Sequence, residues 1–404
     1  MAGILDVKSS PVFDDRVTKF EWHTYSPYML AALGNNDEIR IACNFQDVYT
    51  LPSESYIFVE GKIEATLAAG ASLSTKLVNN AVAFLFEEVR YEIGGVEIDR
   101  TRHVGITSTI KNSLLLNDLS SKHMAVSGWR DSTILNKDGY FSALMPLRCL
   151  LGFAEDFGQI LINLKQELVL VRSRSDNDSL LAGDPSQAST IKLTNVQWRV
   201  PHVSLSDAER LKLMKQVNSN QFLPIAFRRW ETQEIPKVLE VTSNTITLKT
   251  ASSLEKPRYL IVAFQTGRRS AFAKDNAKFD HCKLTNLKVY LNDQVYPYSD
   301  INVDFEKNRY GVLYDMYSRF NASFYDKPGA IAEPLITFKE FKTDLPIFVI
   351  DCSRSTNDAV KGGSIDCRLE FETSENVPKD TVCYVVIVHD KIVRYNPLTN
   401  LVQV

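Results

Sequence analysis

Val89-Arg90-Tyr91-Glu92-Ile93-Gly94-Gly95-Val96-Glu97-Ile98 and Leu287-Lys288-Val289-Tyr290-Leu291-Asn292-Asp293-Gln294-Val295-Tyr296 carry one pattern at two places in the chain. Each opens with apolar residues at alternate positions: Val89, Tyr91 and Ile93 in one, Leu287, Val289 and Leu291 in the other. Period two marks a strand with one buried face. Each run then meets a turn pair, Gly94-Gly95 or Asn292-Asp293, of residue types that accept positive φ cheaply. A second short strand follows. The pattern predicts a β-hairpin at both places. The second copy begins about half of the 404-residue chain after the first, which predicts two similar all-β domains in tandem.

The neighbours repeat in the same order. Tyr56-Ile57-Phe58-Val59 answers to Tyr259-Leu260-Ile261-Val262. Ile106, Ile110 and Leu114 form a helical stripe within Gly105–Asn117, read as a short core-packing helix. Its counterpart spans about 309–322, with Val312, Leu313, Met316, Tyr317 and Phe320 on one side. The alternating segment at 191–200 answers to one at 382–393. Further strands are expected at Ile39–Cys43, Ile160–Leu164, Glu167–Val171, Val238–Val241, Thr245–Leu248, Pro346–Ile350 and Ser364–Phe371. Polar loops are expected over much of 119–140 and over Ser173–Ser189. The repeat is one of pattern, since few residues are identical.

Midway lies Ser206-Asp207-Ala208-Glu209, the spacing of a capping box, before Leu211, Leu213, Met214 and Val217. The expected organisation is an N-terminal arm at 1–30, a first domain at 31–204, a helical connector at 205–219 and a second domain at 220–404. The arm ends in an apolar cluster, Phe20, Trp22, Tyr25, Tyr28, Met29 and Leu30, of the kind that docks on a neighbour. Roughly eight strands with a helix and long loops per half fit a jelly roll. The expected fold class is all-β: two tandem eight-stranded jelly rolls with short inserted helices and long loops.

The 46 basic and 49 acidic residues nearly cancel, leaving a net charge of −3. That argues against a protein whose main task is neutralising nucleic acid, and against a polybasic membrane anchor. The N-terminus lacks the basic and apolar regions of a signal peptide, and no apolar run approaches the ~18 residues of a membrane span. Synthesis in the cytosol is the expectation. The six cysteines show no C-x-x-C pair and no zinc spacing. Buried reduced thiols are the first reading. A hairpin that brings Cys352 and Cys367 together as a disulfide is the alternative.

Tandem jelly rolls raise the metal-dependent double cupin, which needs two histidines close together on a strand. The histidines, at 23, 103, 123, 202, 281 and 389, are too far apart in sequence for that motif. Asp156-Phe157-Gly158 spells a kinase tripeptide without its companion loops and reads as chance. Asp176, Asp178 and Asp184 do not follow a calcium-loop pattern and read as a solvated loop. Arg228-Arg229 and Arg268-Arg269 read as surface or subunit-contact residues, with phosphate as the sharper alternative. No catalytic residue, metal ligand or cofactor site is expected.

The stretches Phe86–Asp99 with Gly105–Asn117, Leu205–Met214, and Leu284–Tyr298 with Arg309–Asn321 together resemble the double jelly-roll major capsid proteins of the tectivirus–adenovirus lineage, which includes virophages and Polinton or Maverick elements. The resemblance implies a non-enzymatic structural protein. It implies homotrimers of pseudo-hexagonal outline that tile an icosahedral shell by capsomer–capsomer contacts. Minor capsid or penton proteins are further implied partners, and no specific nucleic-acid site is implied. The implied location is the virion capsid, assembled in host cytoplasm or nucleus, with an internal membrane left open. The alternative reading is a paired jelly-roll module that binds carbohydrate or protein.

The segment Tyr310, Tyr314, Tyr317, Phe320, Phe324 and Tyr325 is aromatic beyond what one helix face can bury, because successive residues turn by about 100°. Tyr310, Tyr314, Tyr317 and Phe320 are therefore the candidate subunit-contact residues. Burial under a loop of the same chain is the alternative.

Overall fold

The computed structural model describes residues 16–28, 33–44, 49–65, 74–131, 133–162, 164–182, 189–248, 257–327, 333–353 and 366–404. The first half runs β1 (Val17–Tyr25), β2 (Glu38–Cys43), β3 (Tyr49–Thr50), β4 (Tyr56–Ala65), β5 (Lys76–Leu77), α1 (Ala81–Phe84), β6 (Phe86–Ile93), β7 (Val96–Arg102) and α2 (Val104–Leu115). It continues with α3 (Asp118–His123), β8 (Tyr140–Pro146), α4 (Gly152–Asp156), β9 (Leu161–Ile162), β10 (Gln166–Arg172), β11 (Leu180–Leu181) and β12 (Ser189–Leu205). After α5 (Asp207–Asn218) come β13 (Leu223–Ile235), β14 (Ser243–Leu248), β15 (Pro257–Thr266), β16 (Leu284–Leu291) and β17 (Gln294–Tyr296). The chain closes with α6 (Gly311–Phe324), α7 (Phe338–Thr343), β18 (Phe348–Asp351), β19 (Cys367–Thr373), β20 (Thr381–Asn396) and β21 (Leu401–Gln403).

Each half is a sandwich of two antiparallel sheets. In the first, β8-β4-β12 form one sheet, and β1 pairs with the free edge of β12, since Trp198 has Ile57 on one side and Tyr25 on the other. The facing sheet is β2-β10-β6-β7. In the second, β18-β15-β20-β13 faces β14-β19-β16-β17. Position by position the orders match, so β1 corresponds to β13, β4 to β15, β12 to β20 and β7 to β17. The sheets meet through large inward side chains: Tyr91 on β6 lies edge-on to Trp198 on β12, with centroids 6.1 Å apart, and Phe264 on β15 packs on Phe371 on β19 at 5.0 Å. These are the alternate residues that the strand period selects for burial.

Both expected hairpins are present, at the same edge of the smaller sheet in each half. Gly94 and Gly95 have φ of 59° and 81°, the left-handed pair that a two-residue turn of matching twist requires. In the second hairpin Asn292 takes φ of 52°. Its backbone N–H donates to the Asp366 carbonyl, and its side-chain oxygen accepts from the Asp366 N–H, both at 2.9 Å.

Several local expectations need correction. The described part of the arm holds a strand of the first sheet, β1, so the first roll begins before residue 31; Met29 and Leu30 lie outside the described residues. The polar stretch after 117 contains α3, capped reciprocally by Asn117 and Ser120, a cap whose third position is Ser rather than Glu or Gln. Val238–Val241 is not a strand: Val238 is buried and Leu239 is exposed, and the run is a bend leading into β14. At α5 the Ser206 side chain makes no cap bond; its backbone N–H instead donates to the Arg16 carbonyl at 2.9 Å, which ties the connector to β1. No residue of α5 is buried, so the connector spans between rolls without a core face.

Candidate functional site

The two rolls join along a seam in which the first roll contributes α2, α4 and β7 and the second contributes α6 and β13. Helix α2 is the axis of this seam. All of its residues from Val104 to Leu114 are buried, including Thr107, Lys111 and Asn112. A helix buried on every side must satisfy its polar groups internally. Lys111 Nζ reaches Glu155 at 2.7 Å and donates to the carbonyls of Arg148 and Leu151 at 2.6 and 3.1 Å. Thr107 and Thr232 share a 2.6 Å hydroxyl contact across the seam.

The last turn of a helix leaves carbonyls without intrahelical donors. Here α6 supplies them: Tyr317 Oη donates to the Ser113 carbonyl at 2.7 Å, and Asn321 Nδ2 to the Leu115 carbonyl at 2.6 Å. This decides the fate of the aromatic segment. Tyr310, Tyr317 and Phe320 are 3%, 2% and 2% exposed within the single chain. Tyr310 stacks on Phe338 of α7 at 4.2 Å, and Phe320 meets Tyr259 edge-on at 4.8 Å. Tyr314 is half-buried, and its hydroxyl donates to the Ile336 carbonyl at 3.0 Å. The expected subunit-contact role is thus corrected for Tyr310, Tyr317 and Phe320. The elements that take up Tyr310, Tyr317 and Phe320 lie in the same chain, while Tyr314 and Tyr325 keep part of their surface exposed. Burial raises the Tyr310, Tyr314 and Tyr317 hydroxyls above the ordinary tyrosine range, so they remain protonated donors.

Ion pairs fasten the rest. Arg228 on β13 grips Asp156 of α4 with its backbone N–H at 2.7 Å and its guanidinium at 2.5 and 2.9 Å, and stacks over Phe324 at 3.4 Å. Arg229 pairs with Glu97 at 3.1 Å, on β7. Within the second roll, Arg268 pairs with Asp280 at 2.7 Å, and Arg269 with Glu234. All four arginines therefore face carboxylates, where sequence reading weighed phosphate or a surface. Asp156, read as part of a chance tripeptide, is a seam residue. The signal was invisible because its partner lies far along the chain. Backbones also come close: a Cβ on Gly152 of α4 would sit 1.9 Å from the Arg228 carbonyl oxygen.

Beside the seam a cavity of about 350 Å³ is lined by Glu87, His103 and Asp178 from the first roll and Glu234, Arg269 and Tyr384 from the second. His103 Nδ1 lies 3.3 Å from Glu87 and 3.4 Å from Glu234, bridging the rolls. Asp178 accepts from the Ser270 N–H at 2.6 Å, and burial raises its pKa. Asp176 pairs with the buried Arg172 at 2.8 Å; Asp184 lies outside the described residues. Among the described residues no group of three or more His, Cys, Asp and Glu side chains is arranged to hold a metal ion. All six cysteines are unpaired and buried, Cys352 and Cys367 included, so the disulfide alternative falls. Among the described residues no helix is long and apolar enough to cross a membrane.

Two antiparallel sandwiches of one topology, each of two facing sheets and fused by a buried polar seam, define a double jelly-roll protein. The chain belongs to the family of the double jelly roll-like domain, whose model matches residues 75–393. Similar solved structures include a chain of the Sputnik virophage, at 11% identity and TM-score 0.61, covering 99% of this chain and 91% of that one. The Faustovirus major capsid protein is similar at 9% identity and TM-score 0.60, covering 96% and 92%. The mavirus major capsid protein is similar at 11% identity and TM-score 0.56, covering 98% and 92%. No curated protein sequence matches the chain.

Proposed function

We propose that this protein is the structural major capsid protein of an icosahedral virus or virus-like element, and that it assembles as homotrimeric capsomers of pseudo-hexagonal outline. The observation that carries the reading is the coverage of the fold: the likeness to the Faustovirus and mavirus major capsid proteins extends over more than nine-tenths of both chains, with both rolls included. The seam supports it. A shell block must hold its two rolls at a fixed relative angle, and here helix capping, the Arg228–Asp156 and Arg229–Glu97 pairs and close backbone contact all join one roll to the other. The role is mechanical rather than catalytic. Its first partner is a second copy of itself, and minor capsid or penton proteins complete the shell. The assembled protein resides in the virion capsid.

The test is light scattering after gel filtration, followed by electron microscopy. The expected result is a species of three times the chain mass with a hexagonal outline. A monomer at all accessible concentrations, with specific affinity for a sugar or a peptide, overturns the reading.

A further inference from the structure

The cavity of about 350 Å³ beside the seam has walls of two kinds. Phe84, Phe86 and Ile106, all buried, supply apolar surface. The polar lining comes from both rolls, with Arg174 and Asp178 from the first and Asn276 and Arg269 from the second. Small-molecule sites usually span roughly 300–1,000 Å³, so this volume suits one compact molecule.

Some of the polar groups are spent on one another. Arg269 and His103 both face Glu234, and His103 also faces Glu87. Gln265 Nε2 donates to the backbone carbonyls of Asn276 and Lys278 at 2.7 and 2.9 Å. Others stay unspent, and they are of opposite kinds. Asn276 is 2% exposed, and its side-chain NH2 has no hydrogen-bond partner among the described residues. The Arg174 guanidinium makes no hydrogen bond or ion pair among them either. Asp178 spends Oδ1 on the Ser270 N–H and leaves Oδ2 without a donor. A donor buried without an acceptor is costly, and a fold that keeps one beside a cavity points to an acceptor brought from outside.

We propose that this cavity binds a free α-amino acid with an apolar or aromatic side chain. Its carboxylate accepts from Asn276 and Arg174, its ammonium donates to Asp178 Oδ2, and its side chain lies against Phe84, Phe86 and Ile106. A simple cation would leave the Asn276 NH2 and the Arg174 guanidinium unmet. A simple anion would face the carboxylates of Asp178 and Glu87, which line the same space. A ligand held by groups of both rolls adds to the seam, so occupancy stabilises the folded chain. The inference concerns the single chain and stands apart from the assembly proposed above.

The experiment titrates L-phenylalanine and L-leucine, to millimolar concentrations, into the full-length protein. Melting temperature should rise with concentration, and calorimetric titration should saturate at one molecule per chain. Phenethylamine and 3-phenylpropanoate keep the ring but only one charged group each. Each should bind roughly tenfold or more weakly than L-phenylalanine, the cost of losing a charged hydrogen bond. Arg174→Gln and Asp178→Asn should each weaken L-phenylalanine by about the same factor. Arg174 is exposed, and Asp178→Asn keeps an acceptor for the Ser270 N–H, so both variants should fold; circular dichroism melts without ligand check this. If Asp178→Asn fails to fold, Arg174→Gln carries the test by itself. No shift with either amino acid overturns the proposal, as do half-molecules that bind as well as L-phenylalanine. Undiminished binding to folded Arg174→Gln overturns the assignment of the site.

Discussion

The hydroxyl of Tyr317, in the second roll, donates a 2.7 Å hydrogen bond to the backbone carbonyl of Ser113, in the first. A tyrosine from one repeat thus completes the helix terminus of the other. Tyr317→Phe keeps the ring packing and removes only the donor, leaving a buried carbonyl unpaired. A loss of about 1–3 kcal/mol is expected. Urea denaturation checks it, with an unchanged m-value showing that the rolls still unfold together.

Gly152→Ala tests the close approach of α4 to β13. The added methyl would meet the Arg228 carbonyl oxygen at 1.9 Å, and a backbone atom has no rotamer by which to withdraw. Overpacking of this kind costs ~1–3 kcal/mol or more. The expected outcome is a lower melting temperature and faster proteolysis between the rolls. A melting curve unchanged from wild type would count against the seam geometry.

Acid should loosen β1. The His202 pKa is lowered to about 4, first by burial and then by the neighbouring His23, whose ring stacks on it at 3.9 Å. Tyr25 is raised by burial and stays protonated, so its hydroxyl donates to an unprotonated His202 Nε2 at 2.7 Å. Between the ordinary histidine value of about 6.5 and the folded value of about 4, the unfolded chain binds the proton and the folded chain does not. Stability therefore falls as pH drops through that window and is fully present above it. Melting temperatures from pH 7 to pH 4 check this, and His202→Gln should flatten part of the slope.

The thiols should be silent. Burial pushes Cys149, Cys282 and Cys367 up to about 12, and raises Cys43, Cys352 and Cys383 as well. A thiol reagent at pH 8 should find almost none in the folded protein and all six after unfolding without reductant. Fewer than six after unfolding would indicate a disulfide.

The sequence by itself determined both hairpins, their duplication and many of the strands, though not β1, β8 or β13. Alternation at Val89–Ile93 and Leu287–Leu291 is a local property, since the pleat turns every second side chain to one face, and Gly94-Gly95 states its turn within two residues. What only the tertiary structure decided is where the surplus aromatic and charged surface goes. Tyr317, Arg228 and Asp156 find partners in the opposite roll, and nothing in their own neighbourhood marks those partners. The excess of aromatics on α6 could be read from helix geometry, but whether α2 or another subunit receives them depends on the angle at which the rolls meet. Ser206 shows the same limit on a small scale: its capping-box spacing is present, yet its backbone bonds to Arg16 and its side chain makes no cap bond. Periodicity reports which face of an element is buried, and packing between distant segments alone settles against what.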